Sequence, residues 1–246
     1  MYPKTVATIE ARMRSSRLPG KVLLPVLGQP LLHHLVARLK VVPSLDEIVL
    51  ATTLNADDDV LEELAGNEGI FCFRGSEDDV MGRVIGAAES RDAEIVVEII
   101  GDSPIIDPEI VEHTIRMFRA NEAVYVTNCH VQTYPDGMET QVFRLDTLKR
   151  SAAMTADPLD REHVTLHIRN HPEIFPTLHL VAPPGMHWPK LGLTLDEPAD
   201  FQLIKRIIEY FGADNPLFGC VDVVRLLRAH PDWVTVNQSV VRKGDA

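Results

Sequence analysis

Glycine-rich phosphate signatures are missing from this chain. None of its 14 glycines falls in a strand-linked G-x-G-x-x-G, and Gly20-Lys21 runs into Val22 without the spaced upstream glycine of a P-loop. Dinucleotide-binding dehydrogenases and P-loop NTPases are therefore excluded. Cysteine is sparse: Cys72, Cys129 and Cys220 are odd in number, far apart and without C-x-x-C spacing. Neither a disulfide framework nor a cysteine zinc site is specified, and a reducing compartment suits them. No apolar run approaches the ~20 residues of a membrane span and no leader-like segment precedes the first strand, so a cytoplasmic protein that does not engage a membrane is expected. A broad basic excess is also absent. The 24 Lys and Arg against 36 Asp and Glu give a net charge of −12 and a pI near 5.2, which argues against general nucleic-acid binding. Repeats and low-complexity tracts are absent too. With 246 residues and 45% hydrophobic content, the chain can build one sizeable core, and a single domain over 1–246 is expected.

Against this acidic background one basic stretch stands out. Arg12, Arg14, Arg17 and Lys21 fall in ten residues directly after the apolar run Thr5 to Ile9, which has the pattern of a first strand. Small residues (Ala11, Ser15, Ser16) and the Pro19-Gly20 turn let backbone N–H groups converge, so the loop offers fixed donors and guanidinium forks to a polyphosphate. A basic turn is also the ordinary makeup of a solvated surface loop. Its position favours the ligand reading, because in open α/β sheets ligands sit beyond the carboxyl ends of the strands.

Along the chain, Pro30 starts a helix with an apolar stripe through Leu39, followed by a strand at Ile48–Thr52, an acid-started helix at 57–65 and a strand at Ile70–Phe73. A helix from Glu77 to Ser90, a strand from Ile95 to Ile100, a helix opened by Asp107-Pro108 and a strand at Val124–Thr127 continue the alternation. This predicts a mostly parallel, doubly wound sheet. Then Tyr134-Pro135-Asp136-Gly137 signals a turn before a strand at Met138–Phe143, so a hairpin excursion at about 130–144 is expected to leave the main sheet. Helices at 145–154 and 161–170, strands at 178–181 and 191–195, a helix from Glu197 to Tyr210 capped by Asp196 or a neighbour, and a helix-plus-extended tail at 212–246 complete the reading.

With these segments in hand, the chain resembles the cytidylyltransferases of the spore coat polysaccharide biosynthesis type, relatives of the CMP-KDO and CMP-sialate synthetases. The motifs A-R-M-x-S-S-R-L-P-G-K, A-T-T, F-R-G-S-E-D-D-V, G-D-x-P, Y-P-D-G, R-E-H-V and L-D-E-P-x-D occur in the family's order. The resemblance implies a three-layer α/β nucleotidyltransferase fold of Rossmann-like type, CTP as donor, Mg²⁺ as cofactor, a small anionic acceptor such as an acidic sugar, and a homodimer formed through the excursion. It places the nucleotide on Ala11, Arg12, Met13, Arg14, Arg17, Lys21, Thr52, Arg74, Gly75, Asp78, Arg83, Gly101 and Asp102. The family usually carries Gln where Glu10 stands and often Gly where Arg14 stands; Ser103 replaces a common Cys or Glu.

Nucleotidyl transfer asks chiefly for positioning and charge neutralisation. Asp102 and Asp196 each follow a strand on the edge where the basic loop lies, and a pair of carboxylates suits Mg²⁺ shared with phosphate. Their alternative roles are a turn former and a helix cap. Lys21 and Arg12 are the candidate catalytic cations on the β- and γ-phosphates, with Arg14 and Arg17 supporting them, or Arg17 serving as a fork on backbone carbonyls. Glu77 to Asp79 are equally explained by a helix dipole. Acceptor recognition is assigned to Asp136, Gly137, Glu139, Arg161, Glu162 and His163. His163 and His167, at i and i+4, lack a third ligand at metal spacing. Other readings are a sugar-phosphate or phosphonate nucleotidyltransferase using another base, a non-catalytic nucleotide-binding subunit, and a glycosyltransferase, for which Asp57-Asp58-Asp59 is a formal D-x-D match.

Overall fold

The computed structural model describes residues 3–212 and 214–241; the tail's Ala213 and residues 242–246 lie outside them. In order, the elements are β1 (Thr5–Glu10), β2 (Pro25–Val26), β3 (Gln29–Pro30), α1 (Leu31–Leu39), β4 (Glu47–Thr53), α2 (Asp59–Glu68), β5 (Phe71–Gly75), α3 (Val80–Glu89) and β6 (Ile95–Ile100). They continue with α4 (Pro108–Ala120), β7 (Tyr125–Thr127), β8 (Gln141–Arg144), α5 (Leu145–Met154), α6 (Pro158–Glu162), α7 (Leu166–Asn170), β9 (Thr177–His179), α8 (Pro198–Phe211), α9 (Cys220–Ala229) and α10 (Pro231–Val234).

Seven strands form one sheet in the order β5-β4-β1-β6-β8-β7-β9, parallel from β5 to β6. Successive residues of a strand face opposite sides, and the two sides are distinct cores. Ala7, Ile9, Val97 and Ile99 pack under α1, α2 and α4. Val6, Val49 and Val96 pack under α3, α5 and α7. A third cluster joins α8 and α9 to Leu191, Leu193 and Leu195. This is the expected three-layer α/β architecture, and none of the described helices is long and apolar enough to cross a membrane.

Arg38, almost fully buried, ties the helical segments together. Its guanidinium donates to the carbonyls of Phe218 (2.8 Å), Pro216 (3.0 Å) and Ile106 (3.3 Å) and lies 4.1 Å from the Phe218 ring centroid. Burial lowers its pKa to about 10, with Asp107 opposing, so the charge persists at neutral pH.

Several expectations need correction. The strand after the Asp136-Gly137 turn does not leave the sheet: β8 inserts antiparallel between β6 and β7, because its apolar Val142 and Phe143 fill the two cores. Only the loop before it departs. Residues 161–170 are two short helices broken at His163–Thr165. The 191–195 segment makes one isolated bridge, Asp136 to Gly192, since the loop at 136 offers just enough backbone to pair once. The tail at 231–234 is helical, with Pro231 in the first turn.

Candidate active site

A cavity of ≈ 450 Å³ opens beyond the C-terminal ends of β1 and β6. The β1 end leads into the basic loop, which Asp58 anchors by accepting from the Met13 amide at 2.7 Å. The β6 end approaches it through Gly101, whose N–H donates to the Glu10 carbonyl at 2.9 Å. A Cβ at Gly101 would lie 2.6 Å from that oxygen, so only glycine permits the approach. One residue on, the Leu195 amide donates to the Asp102 carbonyl at 2.8 Å, setting Asp196 beside Asp102.

Lys21 completes the junction. Its ammonium is 2.6 Å from Asp102 Oδ2 and 3.3 Å from Asp196 Oδ1. Arg17 reaches Asp196 at 2.7 Å and Glu197 at 3.7 Å, and donates to the Val241 carbonyl at 3.1 Å. Burial raises the Asp102 carboxyl above its ordinary range, and the charge and hydrogen bond of Lys21 oppose that rise. The helix cap falls on Glu197, in a capping box with Asp200. Asp200 also accepts from the Asp196 amide at 3.2 Å, leaving the Asp196 side chain to the cavity.

The expected site residues divide. Ala11, Arg12, Arg17, Lys21, Arg83, Asp102, Asp136, Glu139, Glu162, His163 and Asp196 all line the cavity. Arg12 pairs with Glu77 at 3.0 Å on its rim. Arg83 donates to the carbonyls of Ala51 (3.3 Å), Glu77 (3.4 Å) and Ser76, so it is held by backbone while facing the site.

The others stand outside the lining, each for a visible reason. Arg14 turns outward to Asp57 at 2.8 Å and, with Met13, borders a shallow groove on the far side of the loop. Arg74 clamps the end of β4, contacting the Thr53 and Asn55 carbonyls, Asp59 and Glu62. Arg161, expected as a fork for the acceptor, is instead spent on Asp79: Nε and an η nitrogen donate to its two oxygens at 2.8 and 2.5 Å. Asp79 in turn caps α3 by accepting from the Gly82 amide at 2.8 Å. Thr52 is fully buried, Asp78 is exposed, and Gly75 packs against the Arg83 side chain. Gly137, at φ +98°, is needed for its turn; a Cβ there would lie 2.7 Å from Leu193 backbone. The Asp57–Asp59 triplet forms no D-x-D metal motif: its acids hold Arg14, the loop amide and Arg74.

Sequence reasoning missed the opposite wall of the cavity. Glu98, Cys129, Gln141, Thr165, Arg169 and Thr194 line it. Glu10, Glu98 and Gln141 share the sheet face covered by α3 and α5, because Thr8 pairs with Glu98 and Glu98 with Gln141. Burial raises the Glu98 carboxyl to about 8, Arg169 opposing. Burial and then Glu98 raise Glu10, while Arg83 and Thr8 pull it down. Glu139 is raised by burial and by Asp136. One signal for Glu98 was legible: it is the single charge in the apolar run Ile95-Val96-Val97-Glu98-Ile99-Ile100.

A site with cations beside paired carboxylates at the carboxyl edge of a parallel sheet handles anionic ligands with a charged transition state. The comparisons agree. The cytidylyltransferase family model matches residues 6–217. The spore coat polysaccharide biosynthesis protein SpsF of Bacillus subtilis is 32% identical, covering 94% of this chain and 97% of that protein. The 3-deoxy-manno-octulosonate cytidylyltransferase of Escherichia coli is 30% identical over 61% of each chain. Among solved structures, a cytidylyltransferase from Leptospira borgpetersenii serovar Hardjo-bovis superposes with a TM-score of 0.91 at 30% identity, covering 98% of this chain and all of the other. With the matched family model spanning most of its length, the chain belongs to the cytidylyltransferase family.

Proposed function

We propose that the cavity receives CTP and a small acid, and that the protein transfers CMP to the acid with release of pyrophosphate. The observation that carries this is the meeting of Lys21 with Asp102 and Asp196 at the cavity base. Arg12 and Arg17, with Lys21 at the base, form a cationic group suited to the β- and γ-phosphates. Entry of the triphosphate exchanges the Glu77 and Glu197 pairs of Arg12 and Arg17 for phosphate oxygens, so the loop is held in shape before the donor arrives. Lys21 is fixed closest to the carboxylates and neutralises the charge that grows on departing pyrophosphate. The acid acceptor belongs on the wall that carries Gln141, His163 and Arg169, consistent with the acid named for the Escherichia coli relative.

A magnesium ion fits the residues present. The Lys21 ammonium already draws oxygens of two carboxylates to within 2.6 and 3.3 Å of one point, and Mg²⁺ prefers one or two carboxylates plus phosphate oxygens and water. Among the described residues no group of three or more His, Cys, Asp or Glu forms an all-protein cage, in keeping with an ion shared with substrate. Asp102 and Asp196 would hold it, and when bound it would supply charge neutralisation at the transferring phosphate. A cytoplasmic setting and a homodimer through the loop before β8, where Val131 is exposed, complete the proposal; sedimentation would read the dimer.

Titration calorimetry of CTP, UTP, ATP and GTP with and without Mg²⁺, followed by pyrophosphate release with added acids, tests the function. Mg²⁺-dependent binding of CTP alone, then acid-dependent release, is expected. Equal binding of all four nucleotides would overturn the donor assignment, and absence of binding would overturn the enzyme.

A further inference from the structure

The acceptor wall contains two opposite charges whose buried atoms the protein leaves without hydrogen bonds. Glu98 is 6% exposed, lines the cavity, and its Oε2 is buried without a hydrogen-bond partner. Among the described residues it makes no ion pair within 4 Å. Arg169 lines the same cavity, its Nε is likewise buried without a partner, and its charge is felt by Glu98 across the space between them. Buried polar groups in folded proteins are nearly always satisfied, so a pair left open in a cavity marks where ligand atoms go.

Gln141 sharpens this picture. Its carbonyl oxygen accepts from Thr165 Oγ1 at 2.6 Å and from the Tyr125 hydroxyl, so its amide NH₂ is the end left for a ligand. The wall therefore offers NH donors from Arg169 and Gln141 beside a carboxylate, Glu98 being the cross-strand neighbour of Gln141. The neighbouring acids are answered within the protein. Glu10 accepts from Thr8 Oγ1 at 3.2 Å, Asp136 accepts from Thr194 at 2.7 Å, and Glu139 accepts from the Gly137 amide at 2.6 Å. Of these four, Glu98 is the one with a buried oxygen and no side-chain hydrogen bond.

We infer that the acceptor is zwitterionic, an acid that also carries an amine, with its acid group on Arg169 and Gln141 and its ammonium on Glu98. This rests on the cytidylyltransferase reading of the same cavity. A ligand hydroxyl would give Glu98 a hydrogen bond but leave its charge unpaired. An ammonium gives Glu98 the charge-assisted hydrogen bonds it lacks, and it answers burial that otherwise favours the protonated carboxyl.

The test is pyrophosphate release from CTP with matched acceptors. One triplet is 8-amino-3,8-dideoxy-manno-octulosonate, 3-deoxy-manno-octulosonate and the N-acetylated form of the amine. Further triplets place amine, hydroxyl or N-acetyl at other carbons of the acid. An amine-bearing acid is expected to lead its triplet by about tenfold or more in kcat/KM, as for a site whose buried charged group is left unpaired by the analogue. In Glu98→Gln that ratio should fall toward one, with a thermal melt to show that the variant is folded. Arg169→Gln is a second probe, expected to raise KM for amine and hydroxyl members alike. Preference for the hydroxyl or N-acetyl member, survival of the amine preference in Glu98→Gln, or turnover of no amine while CTP still binds would each overturn the inference. Calorimetric binding of CTP is scored separately, so failure of the parent reading is distinguishable from failure of this one.

Discussion

Lys21→Ala removes the one ammonium lying between two acids. The Lys21 side chain is 8% exposed, while 27% of Asp102 and 18% of Asp196 remain open. Deleting one partner of a buried pair costs about 3–5 kcal/mol, and solvent screening of the two acids lowers this to about 1–3 kcal/mol. Asp196 keeps Arg17 at 2.7 Å, so the loss falls on Asp102. For a chain of this length each kcal/mol moves Tm by roughly 2–4 °C, which predicts a fall of about 2–12 °C. The pH dependence follows from the direction of the Asp102 shift. Its folded pKa is already raised by burial, with Lys21 opposing, so the variant raises it further. A carboxyl whose folded pKa exceeds its unfolded value destabilises the fold only once it must ionise, a penalty that grows as pH climbs through the folded pKa and vanishes below the unfolded one. The deficit relative to the parent is therefore largest at neutral pH and shrinks toward acid. If Asp102 and Asp196 hold Mg²⁺ as proposed, millimolar Mg²⁺ should recover more stability in the variant than in the parent, because the ion would contend with the ammonium for the same two carboxylates. Differential scanning fluorimetry over acid to neutral pH, with and without Mg²⁺, reads both effects. A deficit that is flat with pH, or equal stabilisation of both proteins by Mg²⁺, would refute the reasoning.

Other substitutions probe the remaining supports. Asp102→Asn should reduce turnover by about 10²-fold or more while the fold persists, measured as pyrophosphate release beside a thermal melt. Arg161→Ala should lower Tm by a few degrees through its lost Asp79 fork yet change acceptor KM by less than about threefold, since its guanidinium is not in the site. Gly137→Ala places a Cβ 2.7 Å from Leu193 backbone at φ +98° and should cost more than about 1 kcal/mol in denaturant melts. Arg38→Met strands three carbonyls and should cost about 3 kcal/mol or more, an effect seen in stability rather than in CTP affinity once folded.

The parallel half of the sheet was readable because its strands are short apolar runs separated by helical stripes, and Asp107-Pro108 and Glu197-Pro198 announce their helices. The antiparallel insertion of β8 was not. A strand with Val142 and Phe143 on opposite faces suits either an excursion or a central position, and only the space left beside β6 decides between them. The basic loop could be located, but not which cations face inward. Arg14 and Arg161 look as able to bind an anion as Arg12 and Arg17 until Asp57 and Asp79 are seen to hold them. Asp57 is 43 residues from Arg14 and Asp79 is 82 from Arg161, so no local pattern reports the pairing. The far wall was hidden for a related reason: Glu98 and Gln141 become neighbours only through strand pairing.

That pairing of β6 with β8 is also a seam in the order of assembly. Strands β5, β4, β1 and β6 are drawn from an uninterrupted stretch, residues 5–100, and right-handed crossovers let them associate as the chain emerges. The partner of β6 on its other side is not synthesised until residue 141, and Asp196 later still. During synthesis the cations of the loop thus exist well before the carboxylate from 196 that completes their site. The contact between Lys21 and Asp196 spans 175 residues, so the candidate site closes only after most of the chain has been made.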